Sequence, residues 1–126
     1  MRIRRLALKP CIFVGSSRKE LSFLPEEVRR HFGHALFEAQ SGREAIGVKP
    51  LKGFGGRGVL EVLEDHEGST YRAVYTVRFA TAVYVLHAFQ KKSKSGIATP
   101  KHVIDLVASR LKDAETIHRA TVAEGE

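Results

Sequence analysis

Between Pro25 and Gln40 the apolar residues Val28, Phe32, Ala35, Leu36 and Ala39 recur at i, i+4, i+7, i+8 and i+11. That spacing lines one face of a helix, with Pro25 in its first turn and Gly42 as its stop. Residues 17–24 read as a helical turn or short helix, which Pro25 separates from the longer one. Residues 71–79 change to a period of two. Tyr71, Ala73, Tyr75, Val77 and Phe79 point one way, and Arg72, Val74, Thr76 and Arg78 the other. Residues 59–65 form the preceding strand, with His66-Glu67-Gly68-Ser69 as a hairpin turn. Residues 83–90 return after a tighter turn at 80–82. Near the end, Thr99 suits a helix cap and Pro100 a first helical residue, and Val103, Val107, Leu111 and Ala114 make the buried stripe.

Residues 10–14 read as a short N-terminal strand, and the glycine-rich stretch 41–58 as loop. From about Ile117 the pattern fades into a charged tail, expected to fray over 117–126. The expected class is α+β in one domain spanning 1–126. A small antiparallel sheet, a three-stranded meander plus the N-terminal strand, is flanked by N-terminal helices and a C-terminal helix.

Composition adds few constraints. The single Cys11, set among Ile12, Phe13 and Val14, rules out an internal disulfide framework and fits buried filling in a reducing, cytoplasmic setting. No run approaches the ~18–20 apolar residues of a membrane span. Arg2, Arg4, Arg5 and Lys9 precede an apolar stretch too short for a signal peptide. A formal net charge of +7 attracts polyanions through a long-range field.

The cations are not spread evenly. One acid-free window, residues 45–60, holds Lys49, Lys52 and Arg57, and a second, residues 83–104, holds Lys91, Lys92, Lys94 and Lys101. Arg72 lies between them in mid-strand, where a charge is costly to bury, so its face is expected to be an open groove for an anion. Glu61, Glu64, Asp65 and Glu67 read as a solvated edge away from the lysines.

Other motifs carry less. Gly53-Phe54-Gly55-Gly56-Arg57-Gly58 fits G-x-G-x-x-G, but a loop precedes it and a strand follows, the reverse of a dinucleotide site. Six histidines have no metal-site spacing, and no nucleophile elbow supports a Ser–His–Asp triad. No metal or cofactor is called for. His87 reads as part of a packed face, and His102, beside Lys101, as a candidate for proton transfer near the lysine cluster.

Taken together, Lys49-Pro50-Leu51-Lys52-Gly53-Phe54-Gly55-Gly56, Tyr71-Arg72-Ala73-Val74-Tyr75, the strand 83–94 and Thr99-Pro100-Lys101 resemble the RelE/HigB superfamily of bacterial toxin ribonucleases. The likeness is to its phage-derived Gp49-like (HigB-like) branch. It is strong over residues 49–112, and Val14-Gly15-Ser16-Ser17 and Pro25-Glu26-Glu27-Val28-Arg29 extend it. The resemblance implies a RelE-like fold and a type II toxin that enters the ribosome and cleaves messenger RNA there. Cleavage would proceed without metal, by attack of a ribose 2′-hydroxyl on the adjacent phosphate. A helix-turn-helix antitoxin encoded next door is the implied partner, besides ribosome and messenger RNA, and no membrane is involved.

Mapped residue by residue, the resemblance makes Lys49 and Lys52 catalytic basic residues and Arg72 the phosphate-neutralising arginine. Lys91, Lys92, Lys94, Arg57, Lys101 and His102 remain to hold RNA. Relatives with a histidine before the proline have Lys49 in its place here, and the base-stacking C-terminal tyrosine has no counterpart after Tyr84. That tyrosine's role is open to Lys91, Lys92, Lys94 or His102. The alternative reading is a non-catalytic phage-derived RNA- or protein-binding module on the same scaffold. A small-molecule enzyme finds no residue-level support.

Overall fold

The computed structural model describes residues 8–56, 58–91 and 99–125. In chain order the elements are β1 (Cys11–Phe13), α1 (Ser17–Ser22), α2 (Glu26–Gln40), β2 (Lys49–Pro50), β3 (Val59–His66), β4 (Ser69–Thr76), β5 (Val83–Lys91) and α3 (Lys101–Gly125). The expected α+β class holds, with a five-stranded sheet in the order β1-β5-β4-β3-β2. The meander β3–β4–β5 is antiparallel, and β1 adds to β5 in parallel, which makes the sheet mixed.

Strand alternation divides the apolar side chains between two cores. Val59, Val74, Tyr84 and Leu86 pack under Val103, Val107, Leu111 and Ala114 of α3. Val62, Ala73, Tyr75, Val83, Val85 and Ala88 pack on the other face against Val28, Phe32, Ala35, Leu36 and Ala39 of α2. The α2 stripe is the one its periodicity predicts.

Several local features differ from the expectation. Lys49 and Pro50, placed in a loop, form a two-residue edge strand opposite Glu61 and Leu60. Two residues are too short for any periodicity to register, and an edge tolerates the missing proline N–H. β4 stops at Thr76, where Thr76 Oγ1 donates to the Gly58 carbonyl at 2.9 Å and the Arg78 amide turns back to donate to Thr76 Oγ1 at 3.1 Å. Phe79 therefore leaves the Tyr75 face and joins the α3 core, edge-on to Tyr84.

α3 starts at Lys101, one residue later than expected, with the Pro100 carbonyl accepting from the amides of Val103 and Ile104. It runs past Ile117, where the apolar pattern fades, to Gly125. In β5 the register slips across Leu86, from Val74 opposite His87 to Tyr75 opposite Val85. After this bulge His87 stacks on Phe89, with ring centroids 4.7 Å apart and planes within 17°.

A polar clamp joins α1, β5 and α3. Arg110 holds Glu20 in a two-pronged grip at 2.8 and 2.9 Å and also donates to the Leu86 carbonyl at 2.8 Å. The Glu20 carboxylate lies 2.8 Å from His87 Nδ1.

Candidate functional site

Register brings the site together. Lys49 on β2 stands opposite Glu61 on β3, Glu61 opposite Val74 on β4, and Arg72 one pleat further along the same face. Glu61 is only 5% exposed and Arg72 6%. Arg72 Nη1 donates to Glu61 Oε2 at 3.1 Å and to Thr99 Oγ1 at 2.6 Å. Lys49 is 60% exposed, and its Nζ lies 3.7 Å from Glu61 Oε1. Arg72 Nε is buried without a partner among the described residues.

Two expectations are corrected here. Arg72 does not line an open groove; a carboxylate and a hydroxyl cover it, and these compensate the burial of its charge. Glu61 does not share the solvated edge with Asp65 and Glu67, which are exposed. It is the functional candidate that sequence reasoning passed over. Parity carried the signal: Glu61 falls two residues from Val59, which points into the α3 core.

Lys52 lies exposed in the loop after β2, which is pinned by Leu51 and Phe54 in the α3 core. Among the described residues no contact ties Lys52 to Glu61 or Arg72. Lys101 is exposed, and the hydrogen bond and charge of Asp105, 2.8 Å away, hold its ammonium above the ordinary lysine range. Arg57, Lys92 and Lys94 lie outside the described residues. Lys91 and His102 border a separate groove of about 430 Å³ between β5 and the start of α3.

No group of three or more metal-ligating side chains comes together among the described residues. Nor is any described helix long and apolar enough to cross a membrane. Chemically, the Lys49–Glu61–Arg72 cluster sets a proton acceptor between two cations, an arrangement suited to a reacting phosphate.

The family model for phage-derived Gp49-like proteins (DUF891) matches residues 19–112. Among solved structures, a mutant of the E. coli toxin RelE in the free state is similar, with a TM-score of 0.51 and 19% identity. That match covers 84% of this chain and 97% of the other. The toxin–antitoxin complex RelBE2 from Mycobacterium tuberculosis is similar at 22% identity and a TM-score of 0.46, covering 72% of this chain and 100% of that one. No curated protein matches.

Proposed function

The chain belongs to the family of phage-derived Gp49-like proteins, and from that premise we propose that it is the toxin of a type II toxin–antitoxin pair, a ribosome-dependent endonuclease of messenger RNA. The fold it shares with the toxin RelE supports this reading. The observation that carries it is the meeting of Lys49 and Arg72 at the buried Glu61. Its partners are then a helix-turn-helix antitoxin encoded next door, the ribosome and the message, in the cytoplasm.

In this mechanism the ribose 2′-oxygen bonds to the adjacent phosphorus and the bond from phosphorus to the 5′-oxygen breaks. Glu61 accepts the 2′ proton, and Lys49 or Lys52 returns one to the leaving oxygen. Arg72 exchanges the Thr99 hydroxyl for a phosphate oxygen and offsets the charge that builds at phosphorus.

Translating ribosomes programmed with a defined message test the proposal. Protein treated with EDTA, and freed of it before it meets the ribosomes, should cut and leave 2′,3′-cyclic or 3′-phosphate ends. Lys49→Ala, at an exposed position, should slow cutting by about 10²–10³ without unfolding the chain, and Arg72→Lys by a similar factor. Ends with a 3′-hydroxyl, or intact message on translating ribosomes, overturn it. The burial of Arg72 under Glu61 and Thr99 favours a second reading, a non-catalytic binding module. Tight binding of RNA without cuts would select that one.

A further inference from the structure

A cavity of about 360 Å³ opens at the C-terminal end of α2, within the ~300–1,000 Å³ of small-molecule sites. Ala39, Leu60 and Val77 give it apolar walls, and Tyr75 is part of its lining. Leu60 and Tyr75 belong to the α2 face of the sheet, so the cavity lies behind the face of Glu61 and Arg72. Three polar groups on it are unspent. Lys9 and Glu44 line it with opposite charges, yet neither side chain pairs with the other or with any other described residue. The Tyr75 hydroxyl is buried without a partner among the described residues. Burial, and then the charge of Glu44, raise that hydroxyl, which places Glu44 beside it. Arg43, the other cation on the cavity, is already held by Glu38 at 2.9 and 3.4 Å.

We propose that this cavity binds a free α-amino acid with a large apolar side chain. The carboxylate of the ligand pairs with Lys9. Its ammonium donates to Glu44 and to the Tyr75 hydroxyl oxygen, and its side chain lies on Ala39, Leu60 and Val77. An unpaired cation, an unpaired anion and apolar walls around one cavity match a small zwitterion with an apolar body. A purely anionic ligand would set like charge against Glu44, and a purely cationic one against Lys9. An uncharged apolar ligand would leave the Tyr75 hydroxyl without a partner. None of Lys49, Glu61 and Arg72 lines the cavity, so the inference does not rest on the RNA-cleaving reading.

Titration of the full chain with L-leucine and L-phenylalanine, followed by amide NMR, tests this. At least one should bind saturably, with a Kd of about a millimolar or less, and shift the signals of Leu60, Tyr75 and Val77. Isocaproate, which is leucine without its amine, and isoamylamine, which is leucine without its carboxylate, separate the two charges. Each should bind about tenfold more weakly than leucine. Lys9→Ala should weaken leucine about tenfold and leave isoamylamine unchanged, whereas Glu44→Gln should weaken leucine by a similar factor and leave isocaproate unchanged. Neither position is buried, so both variants keep the fold. If neither amino acid saturates, or the shifts fall away from Leu60, Tyr75 and Val77, the proposal is overturned. A single-charge analogue as tight as leucine overturns it too, and assigns the cavity to an anion or to an amine instead.

Discussion

Glu20 shows how neighbours decide a residue's chemistry. Burial alone would raise its carboxyl, but the hydrogen bonds from Arg110 and His87, with their charges, outweigh it and bring the value down to about 2. A carboxyl depressed in the folded chain contributes stability above its ordinary value near 4.5 and loses it as pH falls through about 2. Glu20→Gln should therefore cost about 2–3 kcal/mol at neutral pH, discounted for the solvent its side chain still meets. It should also flatten the stability–pH curve below about pH 4.5, measurable by chemical denaturation across pH. An acid limb as steep as that of the wild type would show that the clamp is not its source. Tyr75 is the opposite case: burial, aided by the nearby Glu44 charge, pushes its hydroxyl up to about 12. That hydroxyl has no partner among the described residues. Tyr75→Phe should keep or raise stability, by up to about 1 kcal/mol in thermal denaturation. The Glu20–Arg110 pairing was not legible in the sequence, because the two residues lie ninety positions apart.

Among the elements, the strands were read well in their middles and poorly at their ends. Alternation through β4 survives as the split between two cores, since each face packs on a helix. At the end of β4 Thr76 donates to the Gly58 carbonyl, eighteen positions away and beyond any local pattern. Gly58 has a φ of +74°, and an added Cβ would lie 3.1 and 3.2 Å from the backbone N and Cα of Arg78. Gly58→Ala should cost about 1–3 kcal/mol, read as a lowered Tm. Gly47→Ala, also at positive φ but in open space, should cost about 1 kcal/mol. Equal losses at the two positions would remove the argument from crowding. α3 was legible in its buried stripe, while its start was not: the hydroxyl oxygen of Thr99, which suits a cap in sequence, accepts a hydrogen bond from Arg72.

For the whole molecule the governing quantity is a net charge of +7, with seven of its 21 lysines and arginines in the two acid-free windows. On the proposed toxin reading, expression of the chain alone should arrest growth, and Lys49→Ala should relieve the arrest while the protein stays folded. Replacing Lys91, Lys92 and Lys94 together should weaken RNA binding and flatten its salt dependence, by about 0.7 in the slope of log K against log salt for each lost contact to a single strand. Titration at several salt concentrations checks this. An unchanged slope would leave the lysines as an ordinary solvated edge.

By itself the sequence determined the class of fold, the α2 and α3 stripes, the hairpin at Glu67-Gly68 and the family to which the chain belongs. These are local in origin: periodicity, turn chemistry and contiguous motifs are written in neighbouring residues. It also singled out Lys49 and Arg72, which the structure sets around one carboxylate. Only the tertiary structure decided that Glu61 is that carboxylate, that Arg72 is covered, and that His87 is fixed by a helix far away in sequence. Strand register and bulges bring such groups together, and both depend on pairing between distant segments. A charge looks the same in sequence whether it meets water or its opposite.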